Sequence, residues 1–367
     1  MRSLKPDYFD APVFSHIYIE KEILSHPRTR QLLERFPGIP RIEIDHYKDV
    51  FCRQKQDYGL QQRSRKLILA GRREHFLYEG APVCQDFGNR HFYYSSCVMN
   101  CIYDCEYCYL KGMYPSGHLV VFVNLEDYFR AVAQKLREHP VYLCVSYDSD
   151  LAALEKLLGT CELWTEFAAK HPDLTIEIRT KSANGAMWDR QEPLPNIVYA
   201  FTLSPQRIVE QSEHQTPSAQ ARVSCAVEGM AKGFPVRLCF DPMLYCADWQ
   251  QEYGSLLQQI DRELEERQMT WEQVRDVSVG TFRISKEYMR ILRAKEPDSL
   301  VTQFPYENVD GVYQYPPKLK QQMEQWMIEE LSGRISKECI YHEYRTWNTE
   351  EGGSRYGGEL RYRTCDQ

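Results

Sequence analysis

Cys101, Cys105 and Cys108 stand in the pattern Cys-x3-Cys-x2-Cys within eight residues. Thiolates are soft ligands suited to zinc and to iron–sulfur clusters. A protein-bound [4Fe–4S] cluster normally takes four cysteines, so three this close can hold three corners and leave one iron open to a small molecule. Two other readings compete. Zinc sites are built from well-separated Cys-x2-Cys pairs, and only Cys105 and Cys108 form one, although Cys97 could add a fourth thiol. A disulfide framework needs an oxidising compartment, and thirteen cysteines at irregular spacing argue against one. The open-iron cluster fits the spacing best, with Cys97 outside it as a structural thiol.

The elements that must position these thiols alternate. Residues 91–96 read as a strand entering the cysteine loop, and strand-like runs recur at 118–123, 141–146, 174–178, 197–203, 234–240 and 277–282. Helical periodicity fills the gaps: a helix after Asn124, another after Asp150, then 218–232 and 249–266. About six strands alternating with helices imply a parallel sheet whose functional residues lie at the C-terminal strand ends. The expected fold is α/β, a partial (β/α)6 barrel over 91–285. Residues 1–90 form an α/β extension before it, with short strands near 13–19 and 42–44 and a helix at 27–36. Residues 286–345 carry a hairpin, signalled by Asp310-Gly311 between aromatic flanks, and a helix at 318–331. The tail 346–367, with Gly352-Gly353 and Gly357-Gly358, is expected to be disordered.

Composition bounds the class. The 367 residues are 43% hydrophobic and 26% charged, ordinary for a globular protein. Apolar runs such as 119–123 fall far short of the ~20 residues of a membrane span, and the first residues lack the apolar core of a secretion signal. A cytoplasmic protein without membrane contact is expected. The net charge of −7 lowers the expectation of tight nonspecific nucleic-acid binding. Five Lys or Arg between 63 and 73 form either a solvated face or a phosphate-facing patch.

The cysteine spacing resembles that of the radical S-adenosylmethionine (SAM) enzymes. There the open iron chelates the methionine end of SAM, and reductive cleavage gives a 5′-deoxyadenosyl radical. Further blocks narrow the likeness: Leu67-Ile-Leu-Ala-Gly-Arg72, Glu106-Tyr-Cys-Tyr-Leu110, Val121-Phe-Val-Asn-Leu125, Asp148-Ser-Asp-Leu151, Arg179-Thr-Lys181, Phe201-Thr-Leu-Ser204 and Phe240-Asp-Pro-Met243. With these the chain resembles the spore photoproduct lyase family from about residue 13 to 344. That resemblance implies a DNA-repair lyase reversing spore photoproduct, 5-thyminyl-5,6-dihydrothymine, to two thymines. The radical takes hydrogen from the lesion's C6, the methylene bridge fragments, and a cysteine returns a hydrogen atom. It implies a [4Fe–4S] cluster on Cys101, Cys105 and Cys108. It also implies Tyr107 and Tyr109 in SAM placement and hydrogen relay, and SAM contacts from Ser149, Lys181, Thr202 and Ser204, with Lys181 on the carboxylate. Damaged DNA and an electron donor such as flavodoxin or ferredoxin are the implied partners.

Two departures bear on function. In the family the hydrogen-donating cysteine precedes a Thr-Ser-Asp block; here Tyr147 precedes Asp148-Ser149-Asp150. Cys144 lies three residues upstream, on one strand face with Tyr142 and Ser146, and is the expected donor. The family's DNA-entering hairpin is basic, whereas residues 306–315 contain Glu307, Asp310 and no Lys or Arg. Its aromatics could still wedge or stack. A radical SAM enzyme of the same scaffold with a different substrate is the alternative.

Overall fold

The computed structural model describes residues 14–80 and 84–342; the tail at 346–367 lies outside them. Six parallel strands follow one another in the main sheet: Phe92–Tyr94, Val141–Cys144, Leu174–Thr180, Ile197–Thr202, Val236–Met243 and Asp276–Thr281. Each pairs in parallel with the next, through a helical crossover in four of the five connections and through a loop with one short 3-10 turn, Gly185–Met187, between Thr180 and Ile197, which gives the partial barrel that the alternation implies. Their residues are almost all buried and rich in Val, Ile, Leu and Phe, with Tyr142, Tyr199 and Arg237 buried among them, as strands covered on both faces allow. Two additions were not legible. Tyr78–Glu79 pairs antiparallel at one edge, and Ile340–His342 adds a parallel strand beside Asp276–Thr281 at the other.

Sheet membership crosses residue 90. Leu119–Phe122 pairs with Leu67–Ala70, not with the main sheet, and completes a five-stranded sheet with Ile17–Glu20, Arg41–Ile44 and Val98–Met99. One continuous hydrophobic cluster joins the two sheets.

Helix ends follow the sequence in part. Ser218 caps Ala219–Ala231 by accepting the Ala221 N–H; Asp150 accepts the Ala153 N–H at 2.9 Å, but it closes a turn at 151–154, and the helix expected there is only Glu155–Leu158, with no side-chain cap. Asn124 does not cap the helix Leu125–Leu136. Its amide bonds the backbone of Arg72 instead, at 2.8 and 2.7 Å, which ties this helix to the strand before Arg72.

Asp310-Gly311 does turn a hairpin between Glu307–Val309 and Val312–Gln314, both turn residues having positive φ, as a type I′ turn demands. A third strand, Arg283–Ser285, joins it. The hairpin's flanking tyrosines do not face outward: Tyr306 and Tyr315 are buried in a cluster with Phe304 and Phe282. The exposed strand is Glu307–Val309, so stacking by Tyr306 or Tyr315 on a base is not available to this hairpin. The basic run at 63–73 is largely engaged within the protein: Arg73 pairs with Glu22 at 2.8 Å, and Arg72 donates to the Glu74 carbonyl and the Tyr78 hydroxyl.

Candidate active site

A cavity of about 470 Å³ opens at the C-terminal ends of the barrel strands. Cys101, Cys105, Cys108, Tyr107, Tyr109, Cys144, Ser149, Lys181 and Thr202 all line it. Ser204 does not; it is fully buried and donates to Glu213 at 2.9 Å.

The cysteine loop is fixed at three points. Asn100, at φ 70° just before Cys101, donates its amide to the Ser116 and His118 carbonyls, each at 2.7 Å; Asn tolerates this left-handed conformation better than most residues. Asp104–Cys105 pairs antiparallel with Glu213–His214. After Cys108 the helix Tyr109–Met113 packs on helix Lys286–Lys295, closely enough that a Cβ on Gly112 would lie 2.6 Å from Tyr288 Cβ. Lys111, buried, pairs with Asp104 at 2.7 Å and Glu296 at 2.5 Å across the same contact.

These residues fit a cluster. Three thiols face one cavity, and thiolates are the ligands that iron–sulfur clusters take. A cubane puts each cysteine on a different iron. Cys97 lies elsewhere, 1% exposed in the core beside Trp164. Burial pushes the Cys105 thiol up to about 12 and Cys101 higher still.

Glu213, which the sequence gave no reason to single out, organises the wall behind Cys105. It accepts the Tyr107 and Ser204 hydroxyls and pairs with Arg222 at 2.6 Å. Burial disfavours its charge, but Arg222, Lys181 and the Tyr107 hydroxyl outweigh that and hold it down at about 2. Lys181 Nζ stands 3.8 Å from Glu213 and 5.2 Å from the centre of the Tyr107 ring. Its backbone N–H donates to Asp150 at 2.7 Å. Asp150 also accepts from Thr180 at 2.7 Å, so one carboxylate ties two neighbouring strand ends together. Between Asp150 and Asp148, Ser149 is 8% exposed and its hydroxyl has no partner among the described residues. A buried polar atom left open on a cavity wall is what a polar ligand would satisfy.

Cys144 lines the cavity at the end of its strand, 4% exposed, as does Ser146. A second thiol was missed. Cys84 lines the cavity too, with Sγ 3.3 Å from the Tyr147 hydroxyl. Tyr147 stacks on Tyr94 at 4.2 Å, and its carbonyl accepts the Tyr109 hydroxyl. Burial raises Cys84, Tyr147 and Tyr109 above their ordinary values, so all three keep their hydrogen at neutral pH. No local signal marks Cys84: it is a lone cysteine in a loop, 63 residues from Tyr147 in sequence.

A half-barrel with three cysteines at its mouth and an open polar wall defines a class of cluster-dependent radical enzymes. Comparison with known proteins gives the family. The spore photoproduct lyase family matches residues 13–302, and the chain belongs to it, a family of radical SAM enzymes. Spore photoproduct lyase of Clostridium acetobutylicum is 22% identical over 271 residues, covering 71% of this chain and 77% of that protein. The Geobacillus sp. enzyme is 22% identical over 257 residues, 68% and 73% of the two chains. A spore photoproduct lyase structure complexed with dinucleoside spore photoproduct superposes with TM-score 0.76 at 20% identity, covering 90% of this chain and 98% of that one. A variant with bound AdoMet and the same dinucleoside also gives 0.76 at 20%, with the same coverage. Among the described residues no helix is long and apolar enough to cross a membrane.

Proposed function

We propose that this protein reverses spore photoproduct in DNA to two thymines. The observation that carries the reading is the convergence, in one cavity of a family member's half-barrel, of three cluster cysteines, the open Ser149 hydroxyl and a thiol–tyrosine pair. Cys101, Cys105 and Cys108 would hold a [4Fe–4S] cluster. Ser149, Lys181 and Thr202 would hold S-adenosylmethionine, with Lys181 on its carboxylate. Ser204 acts one step back, through Glu213. Bound there, the cluster and SAM would supply a hydrogen-abstracting carbon radical; the reductant would be a one-electron donor such as flavodoxin or ferredoxin.

The protein's own part is to orient, to exclude water and to return a hydrogen atom. Cys144 lines the cavity as expected, but Cys84 carries the stronger case for the return. Its Sγ is within hydrogen-bond reach of the Tyr147 hydroxyl, and the Tyr147 backbone carbonyl accepts from the Tyr109 hydroxyl. The Cys84 thiol meets the Tyr147 hydroxyl, and the Tyr147 and Tyr109 rings lie 5.7 Å apart, a succession in which the tyrosines would renew the thiol hydrogen. Tyr107 is placed to support SAM: its hydroxyl is spent on Glu213 and its ring lies beneath Lys181.

The second reading, a different substrate on the same scaffold, is favoured by Tyr147 in the family's cysteine position and by the acidic exposed strand Glu307–Val309. One experiment separates the two. Protein reconstituted anaerobically with iron and sulfide is given SAM, reductant and a thymine photoproduct dinucleotide. Release of thymine supports repair; SAM cleavage with no lesion consumed overturns it in favour of the second reading.

A further inference from the structure

Most charged groups on the cavity wall are spent on the framework. Asp148 accepts from Ser96 and Tyr114, Asp150 from Thr180 and two backbone N–H groups, and Glu177 from Tyr142, Arg237 and Arg179. Lys181 is assigned above to the SAM carboxylate, and two further groups keep open hydrogen-bonding atoms. Asp241 gives Oδ1 to Arg283 Nη1 at 3.0 Å, and its Oδ2 has no partner among the described residues. Arg179 commits Nε to Glu177 at 3.1 Å, and its two terminal amines have no hydrogen-bond partner there. Both side chains line the cavity, 11% and 30% exposed respectively. They lie near each other: burial disfavours the Asp241 charge, but Arg283 and Arg179 outweigh it and hold the carboxyl below the usual range. Asp241 is therefore ionised and accepts only. Gly280 leaves it room, since a Cβ there would meet Asp241 Oδ1 at 2.9 Å.

An obligate acceptor beside a fork of donors is the complement of an imide edge. Thymine presents carbonyl, N3–H, carbonyl along that edge, whereas cytosine presents an amine and a bare ring nitrogen in place of one carbonyl and the N3–H. We propose that Asp241 and Arg179 read one thymine of the lesion, Asp241 Oδ2 accepting N3–H and an Arg179 terminal amine donating to a flanking carbonyl. The inference rests on the photoproduct reading above and adds to it the residues that choose the base. Sites built to hydrogen-bond a substrate N–H reject the analogue lacking it far more strongly than apolar pockets reject a missing methylene.

The test uses the dinucleotide photoproduct and two analogues, each methylated at N3 of one ring. For wild-type holoenzyme, one analogue should lose about tenfold or more in kcat/KM, the loss of a charge-assisted hydrogen bond. In Asp241→Asn, Arg283 still donates toward the side-chain oxygen, so the amide NH2 turns toward the lesion and opposes N3–H. The unmethylated lesion should then lose a similar factor, and methylation of the same ring should cost little more. An equal methylation penalty in wild type and Asp241→Asn would mean plain steric rejection and overturn the inference, as would indifference to methylation of either ring. Arg179→Gln provides an independent arm: unmethylated turnover should fall about tenfold while lesion-free SAM cleavage stands, and an unchanged value would also overturn it. Wild type that cleaves SAM yet consumes no unmethylated lesion would instead refute the substrate reading on which this one rests.

Discussion

The thiol of Cys84 lies 3.3 Å from the hydroxyl of Tyr147. That relationship changes which sulfur should return hydrogen to the substrate. In the proposed reaction the donor would come from a loop before the barrel, with Tyr147 as its neighbour.

Cys84→Ala should therefore preserve reductive SAM cleavage while diverting the lesion radical to adducts. Clean thymine yield should fall about tenfold or more, a difference of about 1.4 kcal/mol in the competing barriers. Cys144→Ala should leave product identity unchanged. Chromatography of the products from both variants decides it, and clean repair by Cys84→Ala with adducts from Cys144→Ala would return the role to Cys144.

Much of this site was legible, and the reason is locality. The three cysteines lie within one loop, six strands announce themselves as short apolar runs, and Asp310-Gly311 specifies its turn by backbone preference alone. The illegible parts are all tertiary. Cys84 reaches Tyr147, Glu213 reaches Tyr107, and Ile340–His342 finds the sheet edge only after the chain has closed. Leu119–Phe122 has the same apolar run as a barrel strand, and only its neighbour Leu67–Ala70 assigns it to the other sheet. Ser204 has a site residue's position in the sequence, yet its side chain turns to Glu213 rather than to the cavity.

Replacing Cys101, Cys105 or Cys108 by Ala should abolish the reconstituted cluster, read as iron content and visible absorbance. Cys97→Ala should keep both, because its sulfur packs in the core beside Trp164 and not on the cavity. Its cost should be one of stability, about 1 kcal/mol for the lost buried group. Loss of iron in Cys97→Ala equal to that of the other three would refute the ligand set.

Lys181→Ala should weaken SAM binding about tenfold or more, since a hydrogen bond to a charged group contributes about 1.5–3 kcal/mol. Its own tie to Glu213 is long, 3.8 Å, so the ammonium is free to turn to a ligand carboxylate. Cluster absorbance should be unchanged. Equal SAM affinity in wild type and variant, by equilibrium binding to the reconstituted proteins, would end the assignment.

The cysteine loop and the hairpin-bearing segment are joined through Gly112 and Tyr288. A methyl at Gly112 would lie 2.8 Å from Tyr288 Cα as well as 2.6 Å from its Cβ, and backbone cannot yield as a flexible side-chain tip can. Gly112→Ala should therefore destabilise the fold by about 1–3 kcal/mol, the usual cost of overpacking, read as a lower denaturant midpoint at unchanged slope. Because the helix Tyr109–Met113 begins one residue after Cys108, the same displacement should reach the loop and lower iron retention under mild chelation. Glu296→Gln loosens the contact differently, by weakening one arm of the Lys111 bridge, and should lower iron retention less. Wild-type stability and iron retention in Gly112→Ala would show that the two helices do not hold the loop in place.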